Sequence, residues 1–268
     1  MEINIFDVSH GFCAYLIADN GNVMLFDCGH NDQTGFRPSS YLTAHGCSGI
    51  EHLIIQNFDQ DHISDLSNVL SALPVTLFFR NRTITPSQLQ TLKLQSGPLT
   101  DAMTAAIRLH ERYIHPVPVP PPFPDIDFAT FYNPYPLFTD TNNLSLVSFV
   151  VYDGVGIVFT GDLETAGWTE LLKNPTFRNY LARTRIFIAS HHGRTSGYCP
   201  EVFNFCKPEI IIISDKEIVH QTQEQDYSSH ASGILWNGGP GRRYVLTTRS
   251  DGKITITKSR GEGFRITI

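Results

Sequence analysis

Long apolar runs are missing from this chain. None approaches the ~20 residues that a bilayer-spanning helix needs, so insertion into a membrane is not expected. Met1 leads directly into an alternating segment, Ile3, Ile5, Phe6 and Val8, and no leader-peptide pattern is visible. Cysteine is sparse and shows no pairing pattern: Cys13, Cys28, Cys47, Cys199 and Cys206 are an odd set without CxxC spacing. That argues against a disulfide frame or a zinc ribbon and for buried thiols in a reducing, cytoplasmic setting. A basic excess is absent too. With 20 Lys and Arg against 26 Asp and Glu, the net charge is −6 and does not advertise nucleic-acid binding. One stretch is locally basic, with Arg242, Arg243, Arg249, Lys253, Lys258, Arg260 and Arg265 against Asp251 and Glu262. Alternating surface charge on strands accounts for it at least as well as a binding face. No repeat of fixed period is visible.

What is present suffices for one large domain spanning 1–268. The 268 residues are 41% hydrophobic, enough for a sizeable core. Ile3–Val8, Cys13–Ala18 and Val23–Phe26 read as strands, the last two joined by the turn signal Asp19-Asn20-Gly21-Asn22. Residues 30–50 read as a loop and a short helix. Leu53–Ile55 and Val75–Phe79 read as strands, and Ile63–Leu73 has helical spacing. From Arg80 to about Pro136 the pattern loosens. Two helices, one starting at Thr85-Pro86-Ser87 and one over Asp101–Tyr113, precede a stiff Pro-rich segment, Pro116–Pro124. Residues 80–136 therefore read as an insertion whose Arg80, Arg82, Lys93, Arg108, His110, Arg112 and His115 either cover a site and touch substrate or form a solvated helical face, with a surface for a partner protein as a further reading. Regular pattern returns with strands at Asn142–Tyr152, Val155–Phe159, Arg185–Ala189 and Glu209–Ile213, and a helix over Thr165–Lys173. A short helix is expected from Tyr227 to Trp236, and a final hairpin from Tyr244–Thr248 and Lys253–Thr257 around Ser250-Asp251-Gly252.

Polar residues collect where these strands end. The strand at Leu53–Ile55 runs into Asn57-Phe58-Asp59-Gln60-Asp61-His62, just ahead of a helix. Asp59, Asp61 and Asp65 repel one another unless something positive sits among them, and a divalent metal is the simplest answer. Asp27, Asp162 and the pair His191-His192 also stand at strand ends, and His230 lies just beyond another strand. Singly, each has an ordinary explanation: a turn cap for Asp27, a helix cap for Asp162, packed or exposed rings for the histidines. Strands of one sheet end side by side, so the joint recurrence points to one site at the carboxyl edge.

The ordered set resembles the metallo-β-lactamase superfamily of metal-dependent hydrolases, most closely its ComEC-like branch. The likeness rests on DVSHG at Asp7–Gly11, LFDCG at Leu25–Gly29, NFDQDHISDL at Asn57–Leu66, NNLSLV at Asn142–Val147, FTGDLE at Phe159–Glu164, SHHGRTS at Ser190–Ser196 and YSSH at Tyr227–His230. The resemblance implies an α/β, four-layer αββα sandwich with a helical and Pro-rich insertion. It implies Asp59, Asp61, His62, Asp162 and His191 or His192 as metal ligands, with Asp162 bridging. Asp27, Asn142 and Asn143 would support them. Asp61 would activate water, His230 would protonate the leaving oxygen or bind phosphate, and Asn57 joins them as a catalytic candidate. The implied cofactor is one or two divalent ions, Mn²⁺ or Mg²⁺ ahead of Zn²⁺ because oxygen donors outnumber nitrogens. The implied substrate is a phosphate ester, nucleic acid or nucleotide among them, cleaved by a phosphodiesterase or nuclease. Asn57 stands where the family has His, which leaves a second reading: a degenerate, catalytically weak or silent binding module of the same fold.

Overall fold

The computed structural model describes residues 1–216, 222–236 and 241–268. In chain order its strands are β1 (Glu2–Ile5), β2 (Ala14–Ile17), β3 (Val23–Phe26), β4 (Ile50–Ile54), β5 (Val75–Phe79), β6 (Ile126–Tyr132), β7 (Leu146–Tyr152), β8 (Val155–Phe159), β9 (Thr184–Ile188), β10 (Ile210–Ile213), β11 (Ile234–Leu235), β12 (Arg242–Arg243), β13 (Val245–Thr247), β14 (Ile254–Lys258) and β15 (Phe264–Thr267). The helices are α1 (Pro38–Ala44), α2 (Gln60–Ile63), α3 (Leu66–Ala72), α4 (Pro86–Leu94), α5 (Asp101–Arg112), α6 (Thr165–Leu171), α7 (Pro175–Ala182), α8 (Glu224–Ser228) and α9 (Thr248–Asp251).

Among the described residues two large sheets form, in the orders β15-β14-β1-β2-β3-β4-β5 and β13-β10-β9-β8-β7-β6, and β11 and β12 make a separate two-stranded ribbon. Runs of β-branched and aromatic residues explain the second sheet. Ile210–Ile213 is four isoleucines, and every residue of β7 and β8 is buried, as strands covered on both faces require. In the first sheet β3, β4 and β5 are parallel, and the connections through α1 and through α2 and α3 provide the crossovers that parallel pairing demands. α4 starts at a capping box in which Thr85 and Gln88 satisfy each other's backbone N–H groups, and Thr100 caps α5.

Three hydrophobic clusters separate four layers. Between the sheets lie Ile3, Met24, Phe26 and Ile54 from one side and Leu146, Ile157, Phe159 and Ile212 from the other. Phe26 stacks on Phe159 with centroids 4.1 Å apart. Outside the first sheet, Leu25 and Leu53 pack with Leu42, Val69, Leu89 and Ile107 of α1, α3, α4 and α5. Outside the second, Phe149, Phe187 and Ile211 pack with Trp168, Phe177 and Tyr227 of α6, α7 and α8. The fold is thus the four-layer αββα sandwich expected. Burying each such large side chain contributes about 1.5–3 kcal/mol.

Four details differ from the sequence reading. Ile126–Tyr132, inside the loosened region, is an edge strand paired along its length with β7. The helical spacing of Ile63–Leu73 is divided between α2 and α3 at Ser64-Asp65. The helix near Tyr227 ends at Ser228, and Ile234–Leu235 is extended. β13 and β14 are not a hairpin: β13 lies parallel beside β10 in the second sheet, α9 turns the chain, and β14 pairs with β1 in the first. Tyr244–Thr248 and Lys253–Thr257 carry strand signals that a hairpin and a crossing between sheets share. The local basic charge is dispersed: Arg243 pairs with Asp251, Arg249 with Asp215 and Glu224, Lys258 with Asp153, and Arg260 with Asp125.

Candidate metal centre

β1, β3 and β4 share one direction, as do β8, β9 and β10, and the segments after these strands meet at a single edge of the sandwich. Backbone hydrogen bonds sew them together. Cys28 N–H donates to His62 O at 2.6 Å, Asp65 N–H to Cys28 O at 2.9 Å, Gly29 N–H to Phe12 O at 2.9 Å and His191 N–H to Gly161 O at 3.1 Å. Gly11 and Gly29 allow the closest approach. A Cβ on either would run into the Asp61 carbonyl oxygen, and Gly11 has φ +122°, a conformation other residues rarely adopt. Asp27, His191 and His192 take left-handed backbone conformations at φ 56°, 48° and 56°. Each costs about 1–3 kcal/mol for an L-residue, and such strain is characteristic of functional sites.

Asp61, His62, Asp162 and His192 converge, each offering one ligand atom, all within 4.8 Å of one another. His62 is buried between two carboxylates, with Nδ1 2.7 Å from Asp27 Oδ2 and Nε2 2.9 Å from Asp162 Oδ1. Asp27 Oδ1 accepts from the Gln56 N–H at 2.7 Å. His192 Nδ1 lies 2.9 Å from the Ser214 carbonyl oxygen and donates its proton there, so once the ring gives up its other proton Nε2 is the nitrogen left to present a lone pair. That Nε2 is buried 3.2 Å from Asp61 Oδ2 and 3.5 Å from Asp162 Oδ1, yet makes no well-aligned hydrogen bond. A small cavity of ≈10 Å³ lies on the inner side of His62, Asp162 and His192, against Phe12, Ile188 and Ala189; Asp61 does not line it. A larger groove of ≈570 Å³ between α3, α5 and β5 contains none of these residues.

Electrostatics follow from this burial. Burial opposes charge on His62, but Asp162 and Asp27 outweigh it and raise its pKa well above the usual imidazole value. Burial likewise opposes His192, which Asp162 and Asp61 nevertheless lift to about 9. Burial works against ionising Asp61 and Asp162, and the two histidines more than compensate, holding both carboxyls well below their ordinary range. Asp27 moves the other way, to about 6, because burial exceeds the help from His62. Protons on the imidazoles thus occupy the side of each ring that a divalent cation would take. The donor set, a His192 Nε2 flanked by two carboxylates without a well-aligned hydrogen bond, and the oriented His62 all suit such an ion.

Other expected site residues lie around this group or away from it. His191 is adjacent, with Nε2 3.9 Å from Asp162 Oδ2 and Nδ1 3.2 Å from Glu164 Oε1. Asp59 is outside the group; its carboxylate pairs with Lys93 and accepts from Thr141. Asp65 turns to Arg37 and the Ser39 N–H. Two of the three clustered carboxylates therefore have protein cations of their own, where the sequence suggested one metal for all three. Asn57 donates to Asn142 Oδ1 at 3.1 Å. Asn143 points to structure instead, accepting from the Gly167 N–H at 2.8 Å and bonding Asp140. His230 is not brought to the centre: it stacks on Phe203 at 4.0 Å and bonds the Tyr198 hydroxyl at 2.8 Å.

One neighbour, His10, was given no role by the sequence reading. His10 packs on His192 with centroids 4.4 Å apart, and its Nε2 is 3.3 Å from Asp61 Oδ2 and 3.0 Å from Arg194 Nη2. Burial, then His192, lower its pKa to about 4, so the ring is neutral and Nε2 accepts from the guanidinium. Lys93, one of the basic residues that the sequence left between a site cover and a solvated helical face, pairs with Asp59 beside the centre. His10 sits in the DVSHG stretch and Arg194 in SHHGRTS, so adjacency to recognised motifs was the available signal; for Lys93 it was the run of basic residues in the 80–136 insertion.

No protein-family model matches the chain, and no curated protein matches it. Solved structures do. A diphosphatase of the PhnP family is 10% identical, over 96% of this chain and 98% of that one, with a TM-score of 0.47. CmlA, a diiron β-hydroxylase from Streptomyces venezuelae, is 12% identical over 79% of this chain and 44% of its own, with a TM-score of 0.46. A metallo-β-lactamase motif mutant from Cronobacter sakazakii is 14% identical over 68% of this chain and 74% of its own, with a TM-score of 0.39. The chemistry differs from one of these proteins to the next, and the site of the present chain is read from its own residues.

Proposed function

We propose that this chain is a metal-dependent hydrolase of phosphate esters. The observation that carries the reading is the convergence of Asp61, His62, Asp162 and His192 from the ends of three strands, β4, β8 and β9, with a buried His192 Nε2 left without a well-aligned hydrogen bond. These four residues would hold a divalent cation, which when bound supplies Lewis-acid polarisation of a phosphoryl oxygen and acidification of water. Asp27 fixes the His62 ring and Ser214 the His192 ring. Asp61, the most exposed of the four at 23%, is the one that solvent reaches and so the candidate to take a proton from water. Arg194, beside His10 and His191, offers a guanidinium whose fork suits phosphate oxygens. His230 is given no part in the reaction, because it packs against Phe203.

With Asp59 and Asn57 engaged elsewhere, the set is two carboxylates and two imidazoles. Oxygen donors no longer outnumber nitrogens, so the reason to place Mn²⁺ or Mg²⁺ ahead of Zn²⁺ falls away; Mn²⁺ and Zn²⁺ both suit it. The test is turnover of bis(p-nitrophenyl) phosphate, single- and double-stranded DNA, RNA and cyclic nucleotides with Mn²⁺, Zn²⁺ or Mg²⁺. Metal-stimulated cleavage of at least one, lost in Asp162→Ala, is expected. Absence of metal-stimulated turnover on all of them overturns the substrate class. The silent-module reading is favoured by the Asn57–Asn142 hydrogen bond, and it gains if the purified chain also retains no ion after loading.

A further inference from the structure

The half of the loop that carries Asp59 is closed by the chain itself. Lys93 reaches in from α4, its side chain only 4% exposed, and its ammonium pairs with Asp59 Oδ1. Thr141 Oγ1 lies 3.2 and 3.1 Å from the two oxygens of the same carboxylate. The Asn57 amide oxygen accepts from the Asp59 N–H at 2.8 Å, and its Nδ2 donates to Asn142 Oδ1 at 3.1 Å. Asn142 Nδ2 in turn donates to Glu164 Oε1 at 3.2 Å. Every oxygen donor of Asp59, Asn57 and the Asn142 side chain is thus answered by a donor of this chain. The opposite half differs: the buried His192 Nε2 faces only the carboxylates of Asp61 and Asp162, at 3.2 and 3.5 Å, with no well-aligned hydrogen bond and, among the described residues, no protein cation beside it of the kind that Lys93 provides for Asp59.

Resting on the metal-centre reading above, we propose that the site takes a single divalent ion and that the Lys93 ammonium is a permanent protein cation at the place where a second ion would need Asp59. A buried ammonium needs a counter-charge, which Asp59 provides, and a nearby divalent ion would be repelled by it. Lys93 has three N–H donors directed by a short helix and no acceptor, so it neutralises the carboxylate without itself becoming a ligand. The helix α4 thereby belongs to the site through one residue, and Lys93 acts as a positioning residue that fixes Asp59 and the metal count.

The experiment counts ions. The full chain is saturated with Mn²⁺ or Zn²⁺, and metal per chain is read by elemental analysis and by calorimetry, with folding checked by thermal melting. One ion per chain is expected for wild type and for Asn57→His, which adds an imidazole but keeps Lys93. Two are expected for Asn57→His combined with Lys93→Met. Asp59→Asn, a second variant in case the combined one does not fold, should leave one ion bound with its affinity within about threefold. Two ions in wild type or in Asn57→His overturn the role of Lys93 while the metal centre stands. So does one ion in the folded combined variant, or a tenfold weaker ion in Asp59→Asn. No ion in wild type overturns the metal centre itself and this inference with it.

Discussion

Asp27 shows how a residue outside the ligand set governs it. Its carboxylate accepts from His62 Nδ1–H at 2.7 Å and so aims Nε2 at Asp162. Asp27→Asn keeps the size and loses the charge, and should weaken metal binding about 10–100-fold, measured by competition with a chelating dye. Proton linkage gives a second expectation. Binding requires neutral rings, whereas His62 and His192 hold raised pKa values, the latter about 9. Affinity should therefore rise with pH up to about 9, with about two protons released per ion. Calorimetry in buffers of different ionisation enthalpy reads the number; zero release would contradict the ligand assignment. At this scale the sequence was informative where chemistry is unusual. Carboxylates and histidines at four strand ends announced themselves, yet Asp59 and Asp61, two residues apart in the same loop, face different partners. Which one meets Lys93 depends on how α4 packs, and α4 is remote in sequence.

Elements deliver these side chains, and the tightest junction lies between the segment after β1 and the loop after β4. Gly11→Ala would drive a methyl group into the Asp61 carbonyl at a φ of +122°. The expected result is a stability loss of more than about 1 kcal/mol with metal affinity reduced at least tenfold, read by thermal melting and ion titration together. Melting and affinity equal to wild type would show that the junction is looser than described. Strands of continuous Ile, Val and Phe were legible because a strand buried on both faces needs little else. β6 was obscured by its company: its residues are only partly buried and it follows the Pro-rich segment. The β13–β14 error has a comparable cause, since turn residues mark a reversal of the chain but not the sheet that the next strand joins.

The whole molecule is held by contact between its two sheets, and a titratable group lies in that contact. His52 of β4 is buried against Phe79, Phe123 and Phe128 with neither ring nitrogen hydrogen-bonded. Burial lowers its pKa to about 4, against 6.5 ordinarily. Below pH 6.5 the unfolded chain takes up a proton that the folded chain refuses, so stability falls as pH drops from about 6.5 to about 4. His110, also lowered to about 4 by burial, adds to the same limb. His52→Phe should flatten part of that slope in denaturant titrations at pH 5 and 7; an unchanged slope would contradict it. The layered architecture was legible as a whole because the ordered motifs imply it, whereas the cross-sheet environment of His52 becomes visible only once both sheets are in place. That architecture brings Asp61 and His62 of the first sheet to Asp162 and His192 of the second. The most direct test is an anomalous-scattering map from crystals grown with Mn²⁺ or Zn²⁺. A peak about 2.0–2.2 Å from ligand atoms of those four residues is the predicted result; a map with no peak among them would contradict the account.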